Sequence, residues 1–194
     1  MDTKQRFDQL KNTERLNDEI LFEFFDSLSP VSTDEVLGRW KGGDFNTGHW
    51  CNRALIERKW YGKWYRSKMD AVPLICYDDQ NRLFSSQAMK GEASLWDVEF
   101  RGKVSTTMIY DGVPIFDHLR KVDENTLLGV MDGKSLEGSP DIVDNGKYYF
   151  FYLEKVDSFP VEYVEEWKTV YVGKRGYCSP RTSSKAVLSD LKFG

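Results

Sequence analysis

Leu16, Ile20, Leu21, Phe24, Phe25 and Leu28 recur at steps of three and four, so they share one stripe of a helix that Ser29-Pro30 ends. Ser32-Thr33-Asp34-Glu35 has capping-box spacing and predicts one short helical turn before Leu37. From Leu37 onward the period shortens to two. In Ser94 to Arg101, Trp96, Val98 and Phe100 share one face, and Asp97, Glu99 and Arg101 share the other. Lys103 to Tyr110 groups Val104, Thr106, Met108 and Tyr110, and Asp111-Gly112 predicts a two-residue hairpin turn. Val113 to Val122 is the next strand, and Asp123-Glu124-Asn125 turns it into Thr126 to Met131. Gly146 introduces Tyr148 to Leu153, which is apolar on both faces. Short strands joined by tight turns predict an antiparallel meander, and a meander of this length curls or closes to remove its edges.

The expected fold is therefore mainly β, an antiparallel barrel or strongly curved sheet with an N-terminal helix. Residues 1–30 supply the helix packed on the barrel, 31–155 the core and 156–194 a C-terminal extension. Within that extension Val161 to Val172 fits a helix or a strand pair, and Ser179 to Ser184 is loop-like. No internal repeat is visible.

Composition narrows the function classes. A chain of 194 residues suits one domain, and 40% hydrophobic content is enough for a sizeable core. A net charge of −4 gives no global pull toward nucleic acid or an anionic membrane. Aromatic residues make up 14% of the chain, a stock that suits a β core or a ligand cavity. Three cysteines without Cys-x-x-Cys spacing and two histidines argue against a zinc site, so no metal and no cofactor is expected. There is no apolar leader segment and no run of 18 apolar residues, which makes the cytoplasm the default location and a membrane span unexpected.

Gly38-Arg39-Trp40-Lys41-Gly42 is the most distinctive stretch. On a strand Gly38, Trp40 and Gly42 point the same way, so the glycines clear space beside an indole or for a second backbone. This stretch resembles the GXWXG family, whose members usually carry a second small domain of unknown function directly afterwards. The resemblance continues through Thr47-Gly48-His49, Trp60-Tyr61-Gly62-Lys63 and Val72-Pro73-Leu74. It resumes at Met108-Ile109-Tyr110-Asp111, Pro114-Ile115 with Asp117, Arg120-Lys121-Val122-Asp123 and Leu127 to Asp132. Tyr148 to Leu153 completes it, so the blocks run over roughly residues 18 to 155. The resemblance implies a lipocalin-like β-barrel and little biochemistry. Trp50-Cys51 stands where the family more often has Pro after Thr-Gly-His, and nothing carries over to the tail after Lys155.

Asp117 shares a face with Val113, Ile115 and Leu119, the expected interior. A carboxylate there needs a cation, a hydrogen-bond donor or a raised pKa, and it serves either as a structural buttress or as a polar anchor in a cavity. His49, in a loop, is an acid–base candidate or a hydrogen-bond donor to backbone. His118 faces away from Asp117, so the adjacent Asp-His is no dyad. Trp60-Tyr61-Gly62-Lys63-Trp64-Tyr65 reads either as a cavity mouth, with Lys63 meeting a ligand anion, or as a strand alternating Trp60/Gly62/Trp64 with Tyr61/Lys63/Tyr65.

The leading reading is a binding module for a small, largely apolar ligand, lipid-like or planar aromatic. Trp40, His49, Trp60, Tyr61, Lys63, Tyr110 and Asp117 are the candidate ligand-facing residues. The alternative is a cofactor-free isomerase, cyclase or hydratase with Asp117 and His49 as acid and base. A third reading is a protein–protein module docking through residues 155–194. A homodimer stays open.

Overall fold

A computed structural model describes residues 2–135, 137–138 and 140–165. Two helices open the chain, where the sequence stripe predicted one. In α1 (Thr3–Lys11), Asp2 and Gln5 form a reciprocal capping box. In α2 (Asp18–Ser27), Asn17 accepts the Ile20 N–H, and Asp18 and Glu19 lie at the positive end of the helix dipole. Leu16 belongs to the connection between them. The short α3 (Thr33–Val36) starts where the capping-box spacing places it, with the Glu35 carboxylate accepting from both the backbone and the hydroxyl of Ser32.

Ten strands and one further helix follow: β1 (Gly38–Asp44), α4 (Trp50–Glu57), β2 (Trp60–Ser67), β3 (Asp70–Tyr77), β4 (Leu83–Ser85), β5 (Ala93–Phe100), β6 (Lys103–Tyr110), β7 (Ile115–Asp123), β8 (Thr126–Gly133), β9 (Tyr149–Val156) and β10 (Tyr163–Val164). Eight of them form a closed antiparallel barrel in the order β3-β2-β1-β9-β8-β7-β6-β5, sealed where Ala71 of β3 pairs with Ala93 of β5. Strand β4 pairs with Ile75 to Tyr77 on the same edge of β3 whose Ala71 meets β5, and β10 pairs in parallel with β4. Of the extension after 155, residues 156–165 are described and carry the short β10. The helix or strand pair expected over Val161 to Val172 is therefore described only as far as residue 165, and the loop expected over Ser179 to Ser184 lies outside the described residues.

Apolar residues collect in three places. The barrel interior holds Trp40, Tyr65, Leu95, Met108, Leu119 and Phe151 among others. Outside it, Phe7 of α1 and Leu21 and Phe25 of α2 pack with Leu128, Val130 and Phe150 of the outer wall. Tyr61, Val72, Ile75 and Leu83 make a smaller cluster, with Trp64, Phe159 and Tyr163 packed against it. Strands with apolar side chains on both faces, β8 and β9 above all, are those that have core on both sides.

Two local expectations are corrected, the β6–β7 turn and the alternation of residues 60–65. The β6–β7 connection is not a two-residue hairpin; it runs from Asp111 to Pro114, and Gly112 does not adopt positive φ. Gly112 is there for space, since a Cβ would lie 2.2 Å from the Lys90 carbonyl oxygen. The face of β5 bearing Trp96, Val98 and Phe100 points outward, with Trp96 44% exposed, while Ala93 and Leu95 fill the interior. The alternation expected for residues 60–65 is broken: register shifts flank Gly62 in the β2–β3 pairing. One extra residue in β2 flips the side-chain phase. Trp60 therefore packs on the barrel interior with Tyr65, whereas Tyr61 and Trp64 join the outer cluster.

Candidate functional site

The two ends of the barrel differ. At one end Trp40 is buried, its indole N–H donating to the Val36 carbonyl of α3 at 2.7 Å, with Lys155 over the ring. Gly42 does not clear space for Trp40: a Cβ there would lie 2.2 Å from the ring of Trp60. Gly62 does the remaining work, letting the Trp40 carbonyl oxygen approach to 2.0 Å of where its Cβ would stand. Trp40 is thus a floor plug, away from the cavity at the other end.

That cavity opens between α4 and the two connections preceding β5 and β9, and offers about 70 Å³ to the centre of a water-sized sphere. One water needs roughly 10–15 Å³ on that measure, so the space is several times larger. Leu55 of α4, Arg58 at its C-cap, Met89 and Pro140 border the mouth. Leu74, Ile115, Met131 and Phe151 form apolar walls, and Lys63, Tyr110 and Asp117 stand at the base.

Asp117 projects inward as the alternation of β7 requires, and it is 1% exposed. The Lys63 ammonium, 3% exposed, donates to Asp117 Oδ2 at 2.8 Å and to the Pro73 carbonyl at 3.1 Å. The Tyr110 hydroxyl stands 3.5 Å from both Lys63 Nζ and Asp117 Oδ2. Lys63 Nζ also lies 5.1–5.7 Å from the ring centres of Phe151, Trp60 and Tyr110, within cation–π range. The β2–β3 irregularity supplies this geometry, because it turns Lys63 inward and leaves the Pro73 carbonyl for a side chain. Burial pushes the Asp117 carboxyl above its usual range, and the Lys63 charge and hydrogen bond oppose that rise. Asp117 Oδ1 has no hydrogen-bond partner among the described residues.

His49 and Asp117 are not brought together as an acid–base pair. His49 caps α4, its Nδ1 accepting the Cys51 N–H at 3.1 Å, so Nε2 carries the proton and donates to the Ile142 carbonyl at 3.1 Å. Both ring nitrogens are committed to backbone, and burial holds the imidazole below its ordinary pKa. It ties α4 to the segment carrying Ile142, one wall of the cavity, without lining it. Tyr61 faces the outer cluster. His118 also faces outward as expected, stacked on Phe100 at 3.9 Å and bonded to the Thr107 hydroxyl at 2.9 Å. Of the expected ligand-facing set, the structure gathers Trp60, Lys63, Tyr110 and Asp117 at one cavity and places Trp40, His49 and Tyr61 elsewhere.

Other lining residues escaped sequence reasoning. Met131 pairs with Asp117 across β7 and β8, and Tyr149 pairs with Met131 across β8 and β9, so inward parity alone would have found them. The α4 residues had no such signal. Cys51, in that helix, is buried, and burial drives its thiol pKa far up, which keeps it protonated and unreactive. Among the described residues no cluster of three metal-binding side chains occurs, and no helix is long and apolar enough to cross a membrane.

Residues 23–81 match the family described as GXWXG protein, and residues 91–155 match a domain of unknown function, DUF4334, in the order the sequence blocks run. The chain belongs to the GXWXG family. The two matched segments divide the barrel: the GXWXG part supplies β1 to β3 with α4, and DUF4334 supplies β5 to β9. The cavity needs both, since Lys63 comes from the first and Asp117 from the second. A crystal structure of a protein from Thermomonospora curvata is similar, with 33% identity, a TM-score of 0.69, and coverage of 80% of this chain and 99% of that one. Among curated proteins, none matches the chain.

Proposed function

We propose that this GXWXG protein binds one small, largely apolar ligand in the barrel cavity, with the Lys63–Asp117 pair fixing its polar end. The observation carrying this reading is an apolar pocket that ends on a buried ion pair. Breaking such a pair costs several kcal/mol, yet a well-packed apolar pair of the same volume would serve stability as well. Its place at the base of a cavity fits a ligand-orienting role better than a packing role. Apolar walls with a few convergent polar groups are the usual make-up of a small-molecule site.

The test is titration of the purified chain with the neutral fluorophore N-phenyl-1-naphthylamine, together with solvent extraction and mass spectrometry for co-purifying small molecules. Saturable one-to-one uptake is expected, lost in Ala54→Phe, which fills the space beside α4 while leaving the fold intact by circular dichroism. No saturable uptake and no extracted ligand would overturn the reading. The acid–base reading built on Asp117 and His49 is not carried forward, because both His49 nitrogens are engaged elsewhere.

A further inference from the structure

The base of the cavity sets a condition on the ligand. Lys63 and Asp117 neutralise each other at 2.8 Å, and Asp117 Oδ1 is buried without a partner among the described residues. A ligand carboxylate reaching Lys63 would meet Asp117 at the same place, and like charges in a buried site repel strongly. A neutral ligand avoids that repulsion. A carbonyl group suits the site in particular, because its oxygen accepts a proton and its carbon accepts an electron pair.

We propose that Lys63 forms a reversible imine with a small apolar aldehyde or ketone held in this cavity. The inference rests on the binding reading above and names the ligand class of the same site. Asp117 Oδ2, hydrogen-bonded to Lys63 Nζ at 2.8 Å, is placed to take the Lys63 proton as the carbonyl arrives. The freed lone pair on Nζ adds to the carbonyl carbon, and the former carbonyl oxygen takes the proton from Asp117, giving a carbinolamine. Asp117 then takes a proton from nitrogen and returns it to the departing hydroxyl, which leaves as water while the C=N bond forms. One ammonium and one carbonyl become one protonated imine and one water, with Asp117 again a carboxylate beside the cation. No oxidant or reductant is required. The rings of Trp60, Tyr110 and Phe151 around Nζ stabilise the cationic product as they do the ammonium. The Tyr110 hydroxyl, 3.5 Å from both partners, is a further donor toward the carbonyl oxygen. Arginine would serve an ion pair as well but forms no such adduct.

The full chain is incubated with one equivalent of cinnamaldehyde and sodium cyanoborohydride, which reduces the imine to a stable amine, and is then mapped by peptide mass spectrometry. Modification of Lys63 is expected at least tenfold above that of Lys41, an exposed lysine on β1. Lys63→Arg should abolish the site-specific adduct, and Asp117→Asn should slow it at least tenfold. The mapping of the unaltered chain needs no variant to fold. Lys63 labelled no more than Lys41 overturns the inference. Cinnamyl alcohol, which has the same skeleton without the carbonyl, separates the two readings by displacement of N-phenyl-1-naphthylamine. Displacement without Lys63 labelling leaves the binding site standing and removes the imine; neither effect, with no fluorophore uptake, removes both.

Discussion

Gly62 and Lys63 are neighbours in β2 whose roles depend on opposite properties, the lack of a side chain and the possession of a long charged one. A Cβ at Gly62 would meet the Trp40 carbonyl oxygen at 2.0 Å and the Gly42 nitrogen at 2.9 Å, both backbone atoms that no rotamer change can move. Gly62→Ala is expected to push β1 from β2 and cost about 3 kcal/mol or more in a urea titration. Gly102→Ala has open space around it and only its φ of +73° to strain, so about 1 kcal/mol is expected there. For the ion pair, Lys63→Met leaves Asp117 buried and alone, a loss of about 3–5 kcal/mol. Adding Asp117→Leu should recover most of that loss, and a double-mutant cycle measures it. If the double variant is as unstable as the single one, the pair is not the source of the loss.

Half of this pair was legible in the sequence. The alternation of β7 runs unbroken from Ile115 through Leu119, so the inward direction of Asp117 follows from period two alone. Its partner was not legible as a partner, because the bulge beside Gly62 shifts the phase between Trp60 and Lys63. A phase shift of that kind depends on what lies across the strand, and pairing is invisible in a single segment.

At the scale of elements, the strands were easier to read than the helices. Helix α2 carries its apolar stripe on every turn, whereas α1 buries only Phe7 and Leu10 and α4 only Cys51 and Ala54. Two buried residues in a two-turn helix leave too weak a period to detect. Helix α4 is held by its cap and its neighbours. His49→Ala removes the acceptor for the Cys51 N–H and the donor to the Ile142 carbonyl, and a loss of about 1–2 kcal/mol is expected. Amide exchange should quicken at Cys51, whose N–H donates to His49 Nδ1, and, as the first turn frays, at Asn52, whose N–H donates to the His49 backbone carbonyl. His49→Asn should restore the cap but not the contact with Ile142. Unchanged exchange in His49→Ala would show that α4 does not depend on this residue.

At the scale of the whole molecule, stability should respond to mild acid through the buried histidines. Burial lowers the His118 pKa from 6.5 to about 4, with Asp132 opposing and Arg120 reinforcing the shift; His49 is lowered as well. The folded state prefers the neutral rings, so this stability is fully present above pH 6.5 and falls as pH drops from 6.5 toward 4, where the unfolded chain takes up protons and the folded chain does not. For His118 the loss is on the order of 2–3 kcal/mol. His118→Phe keeps the stack on Phe100 and should flatten the decline in urea midpoint between pH 7 and 4.5. An equally steep decline in that variant would remove His118 as the cause.

By itself the sequence determined a mainly β meander with helices ahead of it, the inward aspartate and the GXWXG resemblance, because each is written in residues close together in the chain. Closure at Ala71 and Ala93, the capping of the floor by Trp40, and the meeting of Lys63 with Asp117 were decided only in three dimensions. Those features join residues 22, 4 and 54 positions apart. The short span needed a helix over the barrel end, and the long ones needed the sheet to curl until its first and second halves shared one interior.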